Sequence, residues 1–203
     1  MSARELYDAL ERISNLIRGE LRAFGVRHGL QPVQLDALAY LAQCNRYSDT
    51  PQAVTEFLGL TKGTVSQSLK ALEAKGLVRK LADKQDKRMV HIKPTAKGNK
   101  LIEHAIPGQR LARGLNSSEH VIGSDLAVAL RSLLLGMQHA NGLKSFGPCH
   151  SCRFNRTTRD GLLCGLTNEP LSKDDTKRIC REHQYAETVE PATATGLRRR
   201  AGT

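Results

Sequence analysis

Long apolar runs are missing from this 203-residue sequence. No run approaches the ~18 or more residues that a membrane span needs. The opening Met-Ser-Ala-Arg-Glu-Leu-Tyr-Asp lacks the apolar core of a secretion signal. Nucleophile motifs, phosphate loops, a Gly-x-Gly-x-x-Gly fingerprint and internal repeats are also absent. The expectation is a cytoplasmic chain that neither crosses a membrane nor acts as an enzyme. In a reducing compartment its five cysteines point to thiols or metal ligands rather than disulfides.

Charge is what the sequence has in excess, and it is concentrated. Residues 1–60 carry 6 basic and 7 acidic side chains, whereas residues 61–100 carry 11 basic against 3 acidic. One forty-residue window therefore holds most of the net +11, the electrostatic footprint of a polyanion-binding element.

The apolar spacing explains how that window is presented. Leu6, Leu10, Ile13, Ile17, Leu21 and Phe24 recur every three to four residues and predict an amphipathic opening helix. Pro32 starts a second helix with Leu35, Leu38 and Leu41 on its inner face. Thr50-Pro51 reads as cap and first residue of a short third helix that Gly59 stops. Thr61 caps a fourth, which buries Val65, Leu69 and Leu72 and ends at Gly76. The period then becomes extended. Leu77–Leu81 and Arg88–Lys93 predict two strands joined by the polar stretch 82–87. A helix from Pro94-Thr95 to about Leu115 should break near Pro107-Gly108, and Asn116 with Glu119 resembles the capping box of another. That last helix carries Ile122, Leu126, Leu130, Leu133 and Met137 and closes at Asn141-Gly142.

Two short helices joined by a tight turn and followed by a basic hairpin make a winged helix-turn-helix. A recognition helix must bury one face and offer the other to bases and phosphates. The outward face here presents Lys62, Thr64, Ser66, Gln67 and Lys70, with no carboxylate before Glu73. Gln67 suits bidentate pairing with adenine, Thr64 and Ser66 suit bases or phosphates, and Lys62 and Lys70 suit the backbone.

These residues carry a family resemblance. Leu58-Gly59-Leu60-Thr61-Lys62-Gly63-Thr64-Val65-Ser66, Leu72-Glu73-Ala74-Lys75-Gly76-Leu77-Val78-Arg79, Asp83-Lys84-Gln85-Asp86-Lys87-Arg88 and Pro94-Thr95-Ala96-Lys97-Gly98 resemble the MarR family of bacterial transcriptional regulators. The resemblance implies a homodimer formed by the first and last helices of the core. It further implies two recognition helices in successive major grooves of a palindrome. Where the family wing reads Asp-Pro-x-Asp-Arg-Arg, Lys87 takes the place of the arginine that enters the minor groove, and Arg88 that of one pairing with the wing acids. Lys84 and Lys87 depart from the pattern, because lysine attracts phosphate without arginine's planar fork.

Beyond residue 142 the resemblance ends. Cys149-x2-Cys152, Cys164 and Cys180-x2-His183 bring four cysteines and a histidine into 35 positions. A Cys-x-x-Cys turn lets two thiolates face one ion. Ser172 is expected to cap a helix of residues 173–184 that puts Cys180 and His183 on one face. Phe146, Phe154, Leu162, Leu163, Leu166, Leu171, Ile179 and Tyr185 are too few to hold a fold without a staple. Zinc on Cys149, Cys152, Cys164 and Cys180, with His183 as alternative ligand, is one reading, and an iron–sulfur cluster on the four cysteines is the other. Cys44 reads as a packing residue. His28, His91, His104, His120 and His139 read as surface or packing residues.

The fold expected is mainly α with a small β-hairpin wing, a winged helix-turn-helix dimer with a C-terminal metal-binding extension. Residues 1–142 form the DNA-binding and dimerisation domain, 145–186 the cysteine-rich module and 187–203 a disordered tail. The function expected is a DNA-binding transcriptional regulator, a repressor reading a palindromic operator with the 61–75 helix and the 82–88 wing. A small-molecule or redox effector would be its input. The alternative is a transcription or chromosome adaptor whose cysteine module docks a protein partner.

Overall fold

A computed structural model describes residues 2–83, 86–122 and 125–185. Helix α1 (Ala3–Arg27) opens with a capping box between Ser2 and Glu5. Helix α2 (Pro32–Gln43) follows a prolyl start, and α3 (Pro51–Leu58) is capped by the Thr50 hydroxyl, which accepts from Ala53 N. Gly59 turns the chain at φ 63°, where a side chain would be strained, and Thr61 then caps α4 (Lys62–Ala74). Strands β1 (Val78–Ala82) and β2 (Val90–Pro94) pair antiparallel in the register Val78–Pro94 to Ala82–Val90. The starts and stops that the sequence marked for α3, α4, β1 and β2 lie within two residues of these boundaries.

One core unites these elements. Leu35, Leu38 and Leu41 of α2 meet Ala53 and Val54 of α3, Val65, Leu69 and Leu72 of α4, and Ile92 of β2. At roughly 1.5–3 kcal/mol per buried large side chain, this cluster fixes the orientation of α4 and the wing together.

The helical half continues with α5 (Ala96–Ala105), α6 (Gln109–Ile122) and α7 (Asp125–Ala140). The break at Pro107 occurs as expected, but Asn116 starts no helix. Helix α6 runs through it, since Asn116 is exposed and Ser117 Oγ donates back to Gly114 O at 3.0 Å. Glu20 of α1 holds the head of α6, accepting from Arg110 N at 3.1 Å. Helix α7 buries no residue, and Val128, Leu134 and Met137 stand exposed on it, as do Tyr7, Ile13 and Leu16 on α1. Among the described residues no helix is long and apolar enough to cross a membrane.

A small antiparallel sheet follows, ordered β3 (Asn155–Thr158), β4 (Gly161–Cys164) and β5 (Glu169–Leu171). The helix expected over 173–184 does not form; a single 3-10 turn at Asp175–Lys177 stands in its place. The cause is long-range pairing. Ile179 N donates to Gln43 O at 3.0 Å and Asn45 N donates to Ile179 O at 2.9 Å, which pulls this segment extended against the end of α2. Phe146 ties the start of the module to the winged helix. Its ring packs on Phe57 at 5.3 Å and on Tyr40 at 6.2 Å, and that packing holds its backbone at φ 42°. The tail expected from 187 onward lies outside the described residues.

Candidate nucleic-acid interface and cysteine cavity

The core faces of α4 leave its other side to water. Lys62, Thr64, Ser66, Gln67 and Lys70 are all exposed, while Val65, Ser68, Leu69 and Leu72 are buried. Thr64 doubles as a brace, its Oγ1 lying 2.9 Å from the capping hydroxyl of Thr61. Between α3 and α4 lies a cleft of about 400 Å³, lined by Pro51, Gln52, Thr55, Lys62, Ser66, Leu69, Lys70 and Lys80. Three lysines on its wall make it attractive to phosphate. Lys80, on the wing strand and paired with Glu73 at 2.5 Å, and Gln52, on α3, are additions that a reading of the recognition helix alone misses. The basic run after Gly76 signalled the former; nothing local signalled the latter.

In the wing, Lys87 and Arg88 are exposed, and Lys84 lies outside the described residues. The wing acids serve other partners than the Arg88 guanidinium expected for them. Asp83 accepts from Asp86 N at 2.8 Å and meets His91 Nε2 at 3.0 Å, while Asp86 accepts from the Arg88 backbone N–H at 3.0 Å. His91, scattered and unremarkable in the sequence, links the wing to the body. Its Nδ1 lies 2.5 Å from the buried carboxylate of Asp49, whose other oxygen lies 2.5 Å from Lys93 Nζ. The hydrogen bond to Asp49 raises the His91 pKa above its ordinary value, joined by that to Asp83 and opposed by partial burial.

The cysteines come together. Cys149, Cys152, Cys164 and Cys180 line one small cavity of about 20 Å³, with Asn45, Tyr47 and Asn155 among its other walls. Among the described residues no three His, Cys, Asp or Glu side chains are grouped as a metal ion requires. His183 does not line the cavity. It is buried with Nδ1 on Ser145 Oγ at 2.6 Å and Nε2 on Ser151 Oγ at 3.0 Å, and burial lowers its pKa. Both ring nitrogens are thus committed to hydroxyls. Cys44 is buried at the end of α2 with its thiol pushed up to about 12 by burial, consistent with packing.

This module is bolted to the winged helix. Arg181 donates to both carboxylate oxygens of Glu56 on α3, each at 2.7 Å, and Lys144 adds a third contact at 2.7 Å. Arg46 reaches Glu169 at 3.0 Å, and Arg181 N donates to Ser48 Oγ at 2.8 Å.

Comparison with known proteins agrees with the geometry. The model of the MarR family matches residues 28–89, the span from the end of α1 to the wing. Among solved structures, the transcriptional regulator PA3341 is 27% identical over 68% of this chain and 98% of its own, with a TM-score of 0.54. A MarR-family transcriptional regulator from Silicibacter pomeroyi shares 23% identity over 64% of this chain and 86% of its own, with a TM-score of 0.53. A MarR family protein from Bacillus stearothermophilus shares 24% over 70% and 99%, with a TM-score of 0.52. No curated protein matches the sequence. Residues 28–89, the span that holds the winged helix, are thus similar to the MarR family.

Proposed function

We propose that the protein is a cytoplasmic repressor that binds a palindromic DNA operator as a homodimer. Helix α4 enters the major groove, and the wing tip with Lys87 and Arg88 lies along the flanking backbone. The observation that carries this reading is the outer face of α4 from Lys62 to Lys70, which holds no carboxylate and is exposed above a lysine-lined cleft. Support for the homodimer comes from the uncovered apolar faces of α1 and α7, which a second copy would bury. A small-molecule or redox effector supplies the input, and the cysteine module holds a metal centre, zinc or iron–sulfur.

Fluorescence anisotropy on operator DNA tests the reading. Gln67→Ala should cost roughly 1–3 kcal/mol on the specific site alone. Lys70→Ala should weaken specific and non-specific DNA alike and reduce the salt slope by about one. If both variants bind as the parent does, α4 is not the reading helix.

A further inference from the structure

We propose that Cys149, Cys152, Cys164 and Cys180 form a four-thiolate zinc site whose occupancy is passed to the wing through residues 44–50. The second half rests on the DNA-reading function above; the first half stands alone.

The four sulfurs border one cavity of about 20 Å³. That is close to the ~10–15 Å³ a single water occupies, the scale of one ion. Two of the sulfurs also accept hydrogen bonds. Asn155 Nδ2 donates to Cys149 Sγ and Gln184 N donates to Cys152 Sγ, each at 3.5 Å. Donors converging on sulfur stabilise the deprotonated ligand and orient it toward a cation. With the nitrogens of His183 held by Ser145 and Ser151, the shell is four sulfurs. Since the thiols share a cavity without yet standing at ligating spacing, binding must draw them together.

Cys180 transmits that closure. Its chain neighbours carry the link: Asn45 N donates to Ile179 O at 2.9 Å, Arg181 N donates to Ser48 Oγ at 2.8 Å, and Ser48 directly precedes the buried Asp49. Asp49 O accepts from Ile92 N at 2.7 Å, and its carboxylate faces His91 and Lys93. Each step from sulfur to wing strand is a hydrogen bond, an ion pair or a covalent neighbour.

The test uses the reduced full-length chain, stripped anaerobically with a chelator and titrated with zinc chloride against a chromophoric competitor. One zinc per chain is expected, with cobalt giving the visible bands of a tetrahedral thiolate site. Cys149→Ser and Cys164→Ser should each weaken binding about 100-fold or more, and His183→Gln by about tenfold at most. If a serine variant fails to fold, the cobalt spectrum of the parent still decides. No bound zinc, or iron with acid-labile sulfide in protein purified anaerobically, overturns the site. For the coupling, zinc should shift operator Kd about tenfold, and Ser48→Ala should erase that shift while keeping the zinc. Equal Kd with and without zinc overturns the coupling. A failure of the DNA reading itself would show separately, as Lys70→Ala without effect in either form.

Discussion

Cutting the bidentate contact between Arg181 and Glu56 should loosen the cysteine module from the winged helix. The two residues lie 125 positions apart, and their paired 2.7 Å contacts are the strongest geometry across that seam. The hydrogen bonds from Arg181 and Lys144 hold the Glu56 carboxyl at about 2, against an ordinary 4.5. At roughly 1.4 kcal/mol per unit, that sets a ceiling of about 3 kcal/mol. Glu56 keeps 27% and Arg181 21% of its side chain in water, so screening brings the expected contribution to roughly 1–2 kcal/mol. Because the folded value is depressed, this stabilisation is complete above about pH 4.5 and disappears as pH falls toward 2. Glu56→Gln should therefore lower the urea midpoint at pH 7 and hasten proteolysis within 145–185, and the gap from the parent should close on acidification. Equal urea midpoints for parent and variant at pH 7, or a gap that persists unchanged at pH 2–3, would show that this contact does not hold the module.

Other perturbations probe the reading head. Leu72→Ala removes a fully buried side chain where α4 meets the core and should cost about 2–5 kcal/mol in chemical denaturation. Gly98→Ala would place a Cβ 2.1 Å from the Leu77 carbonyl oxygen and should cost about 1–3 kcal/mol or more, unless calorimetry finds an unchanged Tm. His91 has a raised pKa, so its hold on Asp49 and Asp83 is complete below pH 6.5 and weakens as pH rises through the folded value. Hydrogen exchange of the β2 amides should quicken over that rise in the parent and show no such step in His91→Gln. Leu134→Asp should put a charge on the proposed dimer face and yield monomers by sedimentation, without unfolding the winged helix.

Local chemistry made the winged helix legible. Thr50-Pro51, Gly59, Thr61 and Gly76 each act within four residues, so their capping and turning roles follow from the sequence. What stayed hidden depends on distant partners. Ser172 does bond to Asp175 N, as a cap would, yet pairing of Ile179 with Gln43 and Asn45 overrides the helix beyond it. His91 finds Asp49 across 42 positions, and Arg46 finds Glu169 across 123; no spacing rule anticipates either. The cysteines show both sides. Their sequence spacing brought Cys149 and Cys152 together, while the place of Cys180, between the Ile179 that pairs with Asn45 and the Arg181 that meets Ser48, required the docked module.

Selection from random double-stranded DNA by the full-length chain, with sequencing of the retained pool, tests the central proposal most directly. One palindromic motif is expected, with half-sites about one helical turn apart, weakened by added salt and lost or relaxed in Gln67→Ala. A pool with no enriched motif, or the same motif retained unchanged by Gln67→Ala, would contradict it.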